Sequence, residues 1–109
     1  MRVLIAEDNE IYAHLISVAC QELDCDVVIV DDGEVALERA LADEWDLVVL
    51  DNRMPGMTGL EVARRIADKR RVIMITSDPI QEEAFAAGVD GFLRKPFDPE
   101  SLKSLIAGT

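Results

Sequence analysis

The sequence predicts an α/β fold: one parallel sheet with helices on both of its faces. Three observations carry that prediction. Short apolar runs and stretches of helical period alternate five times along the 109 residues, an order that right-handed crossovers turn into a parallel sheet. The run Leu47-Val48-Val49-Leu50 contains no polar residue, as suits a strand covered on both sides. It ends in a lone carboxylate, Asp51, followed by the breaker Pro55-Gly56, and open α/β sheets carry their chemistry at that edge.

Taken in order, Val3 to Glu7 reads as the first strand, and Asn9 is placed to cap a helix over residues 10–23. Ile11, Leu15, Ile16, Ala19 and Leu23 recur there at helical spacing. Asp26 to Val30 is the second strand. Asp31-Asp32-Gly33-Glu34 reads as a capping box, Asp31 accepting backbone donors and Glu34 reaching back. The second helix runs on to Asp43, burying Val35 or Ala36 with Leu37, Ala40 and Leu41. After the central strand, Leu60, Ala63, Ile66 and Ala67 mark a third helix, on which Glu61 and Arg65 form an i,i+4 pair. Val72 to Thr76 is the fourth strand. Asp78-Pro79 opens a brief helix, with Asp78 as cap, Gln81 at the capping-box position and Gly88 as its stop. Gly91 to Arg94 is the fifth strand, and Asp98-Pro99 starts a last helix that turns Leu102, Leu105 and Ile106 inward and stops at Thr109.

Composition bounds the function. Apolar residues make up 50% of the chain, enough for one ordinary core, so residues 1–109 are read as a single domain. Against 22 acids stand 11 bases, a formal charge of −11, which repels nucleic acid and anionic membrane and favours a cation or a basic partner. No apolar run approaches a membrane span, and the N-terminal apolar segment is too short for a signal peptide, so the cytoplasm is the expected compartment. Cys20 and Cys25 are expected to stay reduced as small core residues.

The strand ends gather Glu7, Asp8, Asp51, Thr76 and Lys95 at one edge of a parallel sheet. Singly, each has a plain reading: helix-capping acids, a polar strand stop, a strand-end hydroxyl, a solvated lysine. Together they form a pattern. Three converging carboxylates repel one another unless a cation joins them, and a few oxygen ligands suit Mg²⁺. A hydroxyl and an ammonium on the other flank suit an oxyanion, with phosphoryl favoured and Asp51 placed as the nucleophile of an aspartyl phosphate.

The stretches Leu4-Ile5-Ala6-Glu7-Asp8-Asn9, Leu47 to Gly59 with Asp51 and Met54-Pro55-Gly56 inside it, Val72-Ile73-Met74-Ile75-Thr76 and Phe92-Leu93-Arg94-Lys95-Pro96-Phe97 closely resemble the receiver domain of two-component response regulators, the CheY-like superfamily. That resemblance covers essentially the whole chain. It implies a flavodoxin-like doubly wound five-stranded sheet of order 2-1-3-4-5. It further implies that Asp51 accepts a phosphoryl group from a phosphohistidine on a histidine kinase or histidine phosphotransfer domain. Mg²⁺ would be held by Asp8 and Asp51 directly, by Glu7 through water, and by the carbonyl of Arg53. Lys95 would pair with phosphoryl oxygens, while Thr76 and Phe92 would form a switch read by a downstream effector or output domain on the face of the fourth helix, fifth strand and fifth helix. Glu7-Asp8-Asn9-Glu10-Ile11 is closer in type to receivers of hybrid kinases and phosphorelays than to those of transcription factors. On this reading the chain is a signalling phosphoacceptor rather than an enzyme, limited to its own phosphorylation and dephosphorylation.

The departures from the family pattern are specific. The link from Ala67 to Arg71 and the span from Thr76 to Lys95 are short, so the fourth helix should be stunted or displaced, and the fifth should be short as well. Phe92 stands where tyrosine is common, and Thr58 stands where an acid is frequent. Arg53 and Asp78 have two readings: a solvated base and a helix cap, or a pair overhanging the phosphate that hinders hydrolytic water. His14 is read as a partly exposed residue of the first helix that faces a partner kinase at most. Among rivals, a phosphatase with an aspartate nucleophile needs a second Asp two residues on, where Arg53 stands. A pseudo-receiver is disfavoured by the intact set Asp8, Asp51, Thr76 and Lys95, and a nucleotide-binding domain lacks the Gly-rich loop after strand one.

Overall fold

The structure is a computed structural model that describes residues 1–108; Thr109, the expected stop of the last helix, lies outside them. Five strands, β1 (Arg2–Ala6), β2 (Asp26–Val30), β3 (Leu47–Leu50), β4 (Val72–Thr76) and β5 (Gly91–Arg94), pair in parallel in the order β2-β1-β3-β4-β5. Five helices alternate with them: α1 (Glu10–Glu22), α2 (Gly33–Ala42), α3 (Gly59–Ile66), α4 (Gln81–Ala86) and α5 (Pro99–Ala107). Every residue of β3 and β4 is buried, as the unbroken apolar runs require of central strands, whereas the edge strand β2 is only partly covered.

Strand alternation splits the core into two layers. Leu4, Val48, Leu50, Val72 and Met74 meet Ala36 and Ala40 of α2, Val62, Ala63 and Ile66 of α3, and Ala84 of α4. Val3, Ile5, Leu47, Val49, Ile73 and Ile75 face the other way, onto Ile16, Ala19 and Cys20 of α1 and Leu102 and Ile106 of α5. Cys20 and Cys25 are both free and buried, and burial pushes the Cys20 thiol up to about 12, so they serve as small core residues. Among the described residues, no helix is long and apolar enough to cross a membrane.

Several expected details change. Strand β1 ends at Ala6, which leaves Glu7 as the first residue beyond it. In α1 the buried series is Ala13, Ile16, Ser17 and Cys20 at positions i, i+3, i+4 and i+7, while Ile11 is 71% exposed and Leu15 is exposed as well. Small residues allow the helix to lie close on the sheet, so the larger pair sits at the rim. Asp32, not Asp31, caps α2, accepting the amides of Glu34 and Val35. The chain stays extended one residue longer because the Gly33 amide donates to the carbonyl of Pro55. Ala36 is the buried member of its pair, and Val35 and Leu41 are exposed. In α3, Val62 joins the core in place of Leu60 and Ala67, which are half-buried.

Helix α4 is stunted as expected, at six residues, yet Asp78 does not cap it: Ile80 occupies that position and offers no side-chain bond. Gly88, at φ +102°, takes the left-handed conformation just past its end. The short link before β4 has a use of its own. Arg70 donates to the carbonyls of Ala40 and Asp43 at the C-terminus of α2, and Arg71 donates to those of Leu105 and Ile106 at the end of α5. Two adjacent arginines thus satisfy carbonyls of two helices on opposite faces of the sheet.

Candidate functional site

In a parallel sheet the C-terminal ends of the strands and the N-termini of the following helices share one edge. Here that edge is an open cleft of about 570 Å³ lined by Asp8, Asn9, Tyr12, Asp51, Arg53, Ser77, Lys95 and Pro96. Asp51 is fixed from behind: its amide donates to the carbonyl of Ala6, and its Oδ1 accepts the amide of Asn52 at 2.7 Å. Gly59 makes room for this loop, since a Cβ there would fall 1.9 Å from the Asp51 carbonyl oxygen. Helix α3 can therefore begin directly against the backbone of Asp51, with Thr58 as its cap through the amide of Glu61. That local role accounts for a threonine at this position.

One carboxylate oxygen from each of Glu7, Asp8 and Asp51 lies within 4.8 Å of the others. Lys95 balances part of this charge, its Nζ 2.6 Å from Glu7 Oε1 and 3.4 Å from Asp51 Oδ2. All three of these side chains are at least nine-tenths shielded from solvent. The Glu7 contact is an ion pair poorly aligned for a hydrogen bond, so buried Oε1 accepts no directed donor. Burial pushes the Glu7 carboxyl up to about 7, with Lys95 opposing the rise and the charge of Asp51 adding to it. Three carboxylates that share a single ammonium are electrostatically incomplete, and a hard divalent cation fits that donor set.

The remaining expected residues are placed less simply. Thr76 is buried, and its Oγ1 accepts the amide of Asp78 at 3.1 Å; the cleft wall beside it is formed by Ser77. Phe92 is half-buried, away from the cleft, in an open groove with Pro79, Glu82, Phe85 and Arg94 along α4. His14 is exposed and lines a small apolar groove between α1 and α5. Arg53 reaches over the rim and donates from Nε to Asp78 Oδ1 at 2.8 Å, so these two residues form a pair rather than a solvated base and a cap. Asn52 Nδ2 donates to the other oxygen of Asp78, and this bond, with the guanidinium of Arg53, holds the carboxyl below its usual range against the opposing effect of burial. Asp78 thereby ties the loop after β3 to the loop after β4.

Tyr12 is the residue that sequence reasoning missed. It stands in the first turn of α1, where its amide donates to the capping Asn9, and its ring centroid lies 4.4 Å from Lys95 Nζ. The available signal was position: three residues past a cap at the C-terminal edge of the sheet, a side chain is near the cleft whatever its type.

Comparison with known proteins agrees with this geometry. The family model for the response regulator receiver domain matches residues 3–107. Response regulator ArlR of Staphylococcus saprophyticus is 34% identical over 96% of this chain, which spans about half the length of that relative. The sensor kinase/phosphatase LuxQ of Vibrio vulnificus is 30% identical over 94% of the chain and 13% of its own length, so regulators and kinases both carry such a segment. Among solved structures, the response regulator TrrA of Thermotoga maritima, in complex with Mg²⁺ and beryllofluoride, superposes with a TM-score of 0.89 at 29% identity, covering 98% of this chain and 96% of that one. From its residue pattern, its sheet order and these matches, the chain belongs to the receiver domains of two-component response regulators.

Proposed function

We propose that Asp51 is the phosphoacceptor of this receiver domain, and that Glu7, Asp8 and Asp51 with the carbonyl of Arg53 hold Mg²⁺ beside it. One observation carries the reading: Asp8, Asp51 and the ammonium of Lys95 meet in a single solvent-open cleft at the end of the central strand, with the buried carboxylate of Glu7 close behind them. The donor is a phosphohistidine of a histidine kinase or phosphotransfer domain. An oxygen of Asp51 attacks phosphorus, the P–N bond breaks, and its electron pair leaves with the imidazole. Bound Mg²⁺ supplies charge neutralisation for the phosphoryl oxygens. Lys95, held within 3.4 Å of Asp51 Oδ2, offers its ammonium to the same oxygens, and the shielded floor of the cleft strengthens that interaction.

After transfer, the Thr76 hydroxyl exchanges its contact with the Asp78 amide for the phosphoryl group, and Phe92 moves inward from its groove; an effector reads the new population. The domain turns over no external substrate beyond its own loading and slow hydrolysis. Incubation with acetyl phosphate and Mg²⁺ should add the mass of one phosphoryl group to the wild type and nothing to Asp51→Asn. Equal uptake by the two proteins, or uptake by neither, would sink the proposal.

A further inference from the structure

The ammonium of Lys95 is held on three sides. Glu7 Oε1 lies 2.6 Å away and Asp51 Oδ2 3.4 Å away, and the face of Tyr12 closes the third side at 4.4 Å from the ring centroid. Two acids alone would draw the lysine down toward Glu7, the nearer and more deeply buried partner, and away from the oxygens of an incoming phosphoryl group. An aromatic face attracts a cation through its quadrupole without donating or accepting a proton, and it excludes water from that side. The ring is itself supported: Phe97 packs against it at 5.8 Å with the planes tilted by 44°, and the Asn9 cap fixes the backbone of Tyr12. Phe97 follows Lys95 by two residues across a cis Lys95–Pro96 bond, so one loop carries both the ammonium and the prop for the ring that faces it.

We infer that Tyr12 is a positioning residue for phosphoryl transfer: its ring seats the Lys95 ammonium beside Asp51 in the cleft, where the phosphoryl oxygens arrive. The inference rests on the reading of Asp51 as phosphoacceptor, and goes beyond it by giving α1 a part in the chemistry. The ring, not the hydroxyl, carries the effect, so phenylalanine substitutes for tyrosine, and an aliphatic side chain of similar volume does not.

The test compares wild type, Tyr12→Phe and Tyr12→Met for the rate of phosphorylation by acetyl phosphate at saturating Mg²⁺. The Met variant should be slower by about threefold to tenfold, the range such a contact supports, and the Phe variant should restore most of the rate. A second readout tracks the contact itself. In NMR spectra the ε-methylene protons of Lys95 should be shifted upfield by the ring current in wild type and Tyr12→Phe, and return to the ordinary lysine position in Tyr12→Met. A Met variant as fast as wild type, a Phe variant as slow as Met, or the absence of the ring shift would each overturn the inference. Wild-type protein that takes up no phosphate at all would instead overturn the Asp51 reading, and this inference with it.

Discussion

The two ends of the sheet treat charge in opposite ways. At the N-terminal edge, polar groups are matched with partners. The Arg2 amide donates to Asp46, its guanidinium donates to the carbonyl of Glu44 and stacks 4.6 Å from the Trp45 ring centroid, and the indole of Trp45 donates to the carbonyl of Arg39. Arg70 and Arg71 complete that end by taking up helix carbonyls. At the C-terminal edge, three carboxylates share one ammonium, and a buried oxygen of Glu7 lacks a directed donor. One end is assembled for stability; the other keeps an electrostatic deficit that a ligand can relieve. Stability and activity are commonly opposed in this way at working sites.

Substitutions should therefore act with opposite sign at the two ends. The largest effect is expected from Arg71→Ala, which strands the carbonyl of Ile106, leaves that of Leu105 with the Gly108 amide alone, and should lower unfolding stability by about 2–3 kcal/mol in urea titrations. Full stability in that variant would mean that water replaces the guanidinium at no cost.

Next comes Glu7. Its carboxyl is raised from 4.5 to about 7, so the folded protein binds that proton more tightly than the unfolded chain. The associated stability is complete below about 4.5 and is lost as pH rises through about 7. Without Mg²⁺, Glu7→Gln should abolish this decline and exceed wild type at pH 8 by about 1 kcal/mol. Mg²⁺ at a hundredfold excess over its Kd should add about 2.7 kcal/mol to wild type at pH 8, and less at pH 6, where protons compete for the same oxygen. Denaturation midpoints across that pH range decide it, and a flat wild-type profile would remove the electrostatic deficit.

The smallest effect belongs to the rim. Arg53 is 82% exposed in its side chain, so its pair with Asp78 is worth little to stability. If the pair hinders hydrolytic water, Arg53→Ala should shorten the life of the phosphorylated form by about twofold to fivefold, the range of a surface ion pair. Unchanged decay of phosphorylated protein, followed by intact mass, would leave the pair a loop tie only.

What could be read in advance follows from the same contrast. Strands and their terminal acids were legible because Val3 to Ala6, Leu47 to Leu50 and Val72 to Thr76 are apolar runs of ordinary strand length, and parallel strands share an edge. The face of α1 was legible in part: Ile16 and Ala19 are buried and Leu23 packs beside them, but Ile11 and Leu15 advertise hydrophobicity while Ala13, Ser17 and Cys20 make the close approach. Asp78 before a proline has the look of a cap, and its pair with Arg53 was one of two readings, offered because each stands two residues past a strand-end site residue; the bond from Asn52, 26 residues away, has no local pattern to report it. Tyr12 was overlooked for a related reason: its place after the Asn9 cap puts it near the cleft, but a tyrosine on a helix has many uses and only the fold brings it to Lys95.

Trp45 gives the separation of the two ends a practical meaning. The chain has a single indole, placed one residue before Asp46 and roughly 20 Å of strand from Asp51. Its emission is thus deaf to events confined to the cleft. Any brightening or dimming on loading would signal a rearrangement that had travelled the full length of the central strand.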